Sequence, residues 1–116
     1  MDPDRARELL KGERKRIDHE LEGLRADRGE GELSNVDQHT ADAGSEMFET
    51  ERDQSMIERL EGELEAIERA EQRLAEGTYG VSVDSGEPIP DGRLEAVPFA
   101  ERTADEQASY EAQQRA

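Results

Sequence analysis

Ile57, Leu60, Leu64, Ile67 and Leu74 follow one another at intervals of 3, 4, 3 and 7 residues. This is the a/d rhythm of a helix with a single apolar seam, and Glu71 fills the slot between Ile67 and Leu74. The periodicity predicts a helix over residues 45–76, a rod of roughly 48 Å at about 1.5 Å per residue. Met47, Phe48 and Met56 widen the seam towards its start, and Glu65 and Arg69 have the spacing of an i,i+4 ion pair. A helix with one apolar stripe is not stable until something covers that stripe. Hydrophobic residues make up 32% of the chain and aromatics 3%, too few for a large core, while charged residues make up 40%. The cover is therefore expected to be another helix.

Residues 3–28 supply one. Asp2 is placed to cap it and Pro3 suits its first position. Leu10, Ile17, Leu21 and Leu24 form a matching stripe, with Arg14 in the slot between Leu10 and Ile17. Gly12 and Gly23 weaken the helix, and His19, beside Asp18 and Glu20, reads as solvated. Residues 29–44 are polar and turn-prone, so they form the link and the hairpin tip. Ser45, Asp42 or Thr40 would cap the second helix. The same seam also suits a homodimeric coiled coil, so both an intramolecular hairpin and a possible homodimer are compatible with it.

Low hydrophobicity with high charge is also the composition of disordered chains, but the apolar period is too regular for that. The net charge of −16 opposes direct nucleic-acid binding, where neutralised phosphates supply much of the affinity. It likewise opposes an anionic membrane surface. It permits a basic partner, such as a positively lined channel; solubility or high-salt adaptation explains it equally well. No cysteine is present, so there is no disulfide and no thiolate metal site. No apolar run approaches a membrane span and no signal-type segment opens the chain, so a cytoplasmic protein is expected.

Gly77 stands where a helix-ending glycine would. Beyond it, Gly80, Gly86, Pro88, Pro90 and Gly92 limit regular structure to a few residues. Tyr79, Val81, Ile89, Leu94, Val97 and Phe99 are the apolar groups available for a small core there. Residues 101–114 read as a short, very polar helix from which Tyr110 can pack back. Two domains are expected: a helical hairpin over 1–76 and a small loop-plus-helix domain over 77–116.

Residues 77–106 resemble the DksA/TraR family. That family's knuckle reads Gly-x-Tyr-Gly-x-Cys-x-x-Cys-Gly, then Ile, then Arg-Leu-x-Ala-x-Pro, then Cys-x-x-Cys. Gly77, Tyr79, Gly80, Gly86, Ile89, Arg93, Leu94, Ala96 and Pro98 stand in the scaffold places. More weakly, the preceding helix and residues 32–42 extend the match. The resemblance implies an all-α fold: a long antiparallel coiled-coil hairpin, a degenerate zinc-finger-like knuckle and a short C-terminal helix. The four cysteine places fall on Ser82, Ser85, Thr103 and Glu106. Hydroxyls are poor zinc ligands at neutral pH, so the zinc expected for the family is not expected here. Hydrogen bonds from Ser82, Ser85 and Thr103, packing around Pro98 and Phe99, and pairing of Arg93 with Glu106 or Glu101 are expected to close the loop instead.

The resemblance further implies a bacterial-type transcription regulator and not an enzyme. Its relatives insert the hairpin into the secondary channel of RNA polymerase, and acidic tip residues then modulate initiation, in some members with ppGpp. The family's tip motif is Asp-x-x-Asp-x-Ala. Here His39, Asp42 and Gly44 fall on its three places, so only Asp42 matches. Asp37, His39 and Asp42 are the tip candidates. The alternative is a protein-interaction module with a different partner. No phosphate loop, zinc-protease helix or cysteine nucleophile supports catalysis.

Overall fold

The computed structural model describes residues 1–27 and 43–115, and its regular structure is helical: α1 (Pro3–Asp27), α2 (Ala43–Glu76), α3 (Asp91–Ala96) and α4 (Ala104–Arg115). The tip candidates Asp37, His39 and Asp42 lie outside the described residues. The chain forms two compact units, one of Met1–Arg14 with Glu65–Ala116 and one of Lys15–Leu64. Both long helices contribute to each unit.

In the Lys15–Leu64 unit the two apolar stripes meet as their spacing requires. Ile17, Leu21, Ile57 and Leu60 are buried, each such side chain contributing roughly 1.5–3 kcal/mol. Arg16 lies 3.9 Å from Glu63 and Arg25 pairs with Glu61. Residues rising along α1 therefore face residues falling along α2, and the pair is antiparallel. His19 is exposed, as its charged neighbours suggested.

In the other unit Ala6, Leu10, Ala66, Ile67 and Ala70 are buried. Asp2 caps α1, accepting the Arg5 amide at 3.0 Å. The two polar residues that interrupt the stripes find each other, with the Arg14 guanidinium 2.8 Å from Glu71. The buried face of α2 here is wider than its a/d seam, because Ala66 and Ala70 are covered as well. Their flank carries Arg69 and Arg73, both of which reach Glu101. Small side chains on that flank leave room for the segment bearing Glu101. The expected Glu65–Arg69 pair is superseded: both Nε and a terminal nitrogen of Arg69 donate to Glu101, at 2.8 and 3.1 Å.

Helix α2 ends as its glycine foretold. Gly77 has φ +80°, the Thr78 amide donates to the Arg73 carbonyl at 2.9 Å and the Gly77 amide to the Leu74 carbonyl at 3.3 Å. This is a Schellman motif, which satisfies two carbonyls that would otherwise have no partner. Past it, Ile89, Leu94 and Ala100 form a small buried cluster, flanked by Tyr79, Val97 and Met1. Pro98 is also fully buried. Val81, expected in this core, is 38% exposed, and its place is taken by Ala100. Phe99 is half-buried. The last helix starts at Ala104, later than expected, because the segment carrying Glu101 is pinned to α2.

Candidate functional site

The knuckle is a narrow loop closed on itself. Residues Val81 and Pro88 form an isolated antiparallel bridge. The Ser82 amide donates to the Glu87 carbonyl at 2.8 Å, and the Ile89 amide to the Gly80 carbonyl at 2.8 Å. At the loop's end the Gly86 amide returns to the Ser82 carbonyl at 3.0 Å, a turn made with Gly86 at φ +77°. Residues with a Cβ rarely adopt that conformation. Below the loop the Tyr79 hydroxyl donates to the Pro98 carbonyl at 2.7 Å. Burial pushes the Tyr79 phenol up from its ordinary value.

The following segment is stitched to this loop. The Val83 amide donates to the Glu101 carbonyl at 2.9 Å. Arg102 Nε donates to Asp84 Oδ2 at 2.8 Å, and its guanidinium stacks 3.9 Å from the centre of the Tyr110 ring. Tyr110 thus packs back onto the knuckle through a cation–π contact. Arg93 does not pair with Glu106 or Glu101. Its Nε donates to the Arg102 carbonyl at 2.8 Å, while Arg69 and Arg73 hold the Glu101 carboxyl below its ordinary range. Arg93 sits on α3, a six-residue helix that buries Leu94; this orientation brings its side chain against the 102 backbone.

Ser82, Ser85, Thr103 and Glu106 come together. Ser82 Oγ accepts the amides of Asp84 and Ser85 at 3.0 and 3.2 Å, and Ser85 Oγ accepts the Glu87 amide at 3.2 Å. Thr103 and Glu106 make a reciprocal pair: Glu106 Oε1 accepts the Thr103 amide at 3.0 Å, and Thr103 Oγ1 accepts the Glu106 amide at 3.3 Å. That is a capping box at the start of α4, and the sequence signal for it, Thr-x-x-Glu at 103–106, was there to be used. The hydroxyls of Ser82 and Ser85, followed by the Thr103 amide, hold the Glu106 carboxyl down at about 2.

Residues 77–112 match the model of the prokaryotic dksA/traR C4-type zinc finger. General stress protein 16O of Bacillus subtilis (strain 168) is 42% identical over 103 residues, 88% of this chain and 60% of that protein. The uncharacterized protein YteA of the same organism is 39% identical over 75 residues, 65% of this chain and 31% of that protein. The solved structure of transcription factor DksA2 from Pseudomonas aeruginosa aligns with a TM-score of 0.77 at 28% identity. That alignment covers 98% of this chain and 86% of that one. The knuckle of this chain is that of the DksA/TraR family. The chain spans 60% and 31% of the length of the two curated relatives.

The DksA/TraR zinc finger is named for four cysteine ligands, and this chain has none. Three neutral hydroxyls and one carboxylate make a poor donor set for zinc, which prefers thiolate and imidazole. The hydroxyl oxygens are also engaged in accepting backbone amides. The residues present therefore do not fit the family's metal. Among the described residues there is no group of three or more His, Cys, Asp and Glu that would hold a metal ion. Among those same residues no helix is long and apolar enough to cross a membrane.

Proposed function

We propose that this chain is a transcription regulator that binds RNA polymerase by inserting its acidic hairpin into the secondary channel and modulating initiation. The observation that carries this reading is the alignment of 98% of the chain with transcription factor DksA2, hairpin and knuckle together. Physical chemistry supports it. The chain carries a net charge of −16, which suits a basic channel, and opposite charge speeds encounter. In this reading residues 1–76 form the rod that reaches into the channel, and residues 77–116 form the base that stays at its mouth. Asp37, His39 and Asp42 act from the tip. The protein contributes no catalytic group of its own and makes no direct contact with nucleic acid.

The test is co-purification with core RNA polymerase across a salt series, followed by measurement of promoter-complex lifetime. Retention at low salt that fades as salt rises is the expected result. Asp42→Asn should leave retention largely intact and reduce the effect on lifetime. Absence of retention at low salt sinks the polymerase reading and favours a different protein partner.

A further inference from the structure

Six of the chain's fifteen lysines and arginines fall within residues 5–16, against two carboxylates, in a protein whose net charge is −16. In the unit formed by Met1–Arg14 and Glu65–Ala116, part of this charge gathers along one side of α1. Arg7, Leu10, Lys11 and Arg14 follow the i, i+3, i+4, i+7 pattern of a single helix face. Glu71 and Leu74 stand opposite them on α2. Between the helices lies a groove of about 310 Å³ lined by these six residues. Leu10 is 1% exposed and lies at its floor, with Leu74 half-buried beside it. The bottom of the groove is therefore apolar, and three cations line its α1 side. Two of them are lightly committed. Lys11 is exposed and has no ion-pair partner among the described residues. Arg7 reaches Asp4 at 2.9 Å, but the Asp4 side chain is 90% exposed, so that pair is screened by solvent and easily exchanged.

We propose that this groove docks an acidic, amphipathic helical segment of a partner protein. The segment seats an apolar side chain against Leu74 and the aliphatic stems of Arg7 and Lys11, and sets its carboxylates against their charged ends. Charge complementarity selects the occupant: the field of the whole chain repels anions, and this short stretch attracts them. The cations run from residue 7 to residue 14, roughly 10 Å of helix rise. Carboxylates two turns apart on a partner helix cover the same distance. A nucleic acid gains its affinity from a longer run of neutralised phosphates and would continue into negative surface. A flat lipid surface does not reach a floor recessed between two helices. Apolar side chains projecting from one face of a helix do, as in other helix-in-groove complexes. The docking is independent of what the hairpin tip binds, and its failure leaves the polymerase reading as it stands.

The probe is a synthetic helical peptide of Glu, Ala and Leu, with one leucine face and carboxylates on either side of it. It is titrated into the isotope-labelled full chain at low salt and followed by amide chemical shifts. Shifts centred on residues 7–14 and 71–75, with an affinity that falls as salt rises, are the expected result. Lys11→Glu should weaken binding about five- to tenfold, because an attraction gives way to a repulsion of similar size. Arg115→Glu makes the same change of net charge on α4 and should alter binding less than about twofold. Equal weakening by the two variants would mean a response to net charge alone and would overturn the proposal. So would undiminished binding of a peptide with glutamine in place of leucine, since the apolar floor would then have no part. Absence of shifts at the groove overturns it as well. Tighter binding there of duplex DNA or of phosphatidylglycerol vesicles than of the peptide assigns the groove to a different partner and also overturns it.

Discussion

Glu101 is the residue through which the knuckle segment grips α2, and its removal gives the sharpest test of that packing. The carboxylate accepts Arg69 at 2.8 and 3.1 Å and Arg73 at 3.2 Å. The two cations are unequal. The Arg69 side chain is 53% exposed, whereas Arg73 and Glu101 are 15% and 17% exposed. The solvated Arg69 pair contributes at most about 1 kcal/mol. The Arg73 bond, made between largely covered groups, contributes about 1.5–3 kcal/mol, because Glu101→Ala leaves a covered guanidinium without its acceptor. Glu101→Ala is therefore expected to destabilise the protein by about 2–3 kcal/mol. With an unfolding entropy of about 2.1 cal/mol/K per residue over 116 residues, each kcal/mol shifts Tm by about 4 °C. The loss is then about 8–12 °C by circular dichroism at pH 7. The pH dependence follows from the same contacts. The folded Glu101 carboxyl lies below its ordinary value, chiefly through the Arg69 hydrogen bond. Its stabilisation is present above the unfolded pKa of about 4.3 and is lost as pH falls through the lower folded value. The Tm difference between wild type and variant should accordingly shrink in acid. A variant that melts within about 2 °C of the wild type at pH 7 would refute the reasoning, since a covered guanidinium without an acceptor cannot be that inexpensive.

Two further perturbations probe the hairpin and its end. Glu71→Lys sets a cation beside Arg14 in the seam and should lower Tm by about 2–4 °C, small because both positions are solvated. The exchanged pair Arg14→Glu with Glu71→Arg should recover most of that loss, and failure to recover would mean the pairing does not matter. Gly77→Ala forces a Cβ into φ +80° with open space around it. It should therefore destabilise by about 1 kcal/mol through backbone strain alone, read as a fall in the midpoint of urea unfolding with unchanged slope.

The helical architecture was legible because it depends on periodicity. Apolar residues recurring every 3 or 4 positions admit few structures other than a paired helix, and Ile17, Leu21, Ile57 and Leu60 are buried as that spacing requires. The end of α2 at Gly77 was legible too, since φ +80° is a local demand that one residue type meets. Ala66 and Ala70 carried no comparable signal: alanine is as common on exposed helix faces as on covered ones, and only a packed neighbour distinguishes the two. The ion pairs fared worst. Arg69 has a carboxylate four residues before it in Glu65, yet it binds one 32 residues away in Glu101, because a long charged side chain goes to whichever partner the fold brings within reach. Arg93 was expected to find a carboxylate and instead donates to a backbone carbonyl.

By itself the sequence determined three things: two helices with complementary apolar stripes, a glycine-shaped loop after them, and a family scaffold from which the zinc ligands had gone. Those rest on local conformation and on residue type, which are properties of the chain before it folds. What those four positions do was decided only in three dimensions. Ser82 and Ser85 accept amides of their own loop, while Thr103 and Glu106 cap the start of α4. A hydrogen bond depends on direction and on what else its partners are doing, and residue identity alone does not specify either.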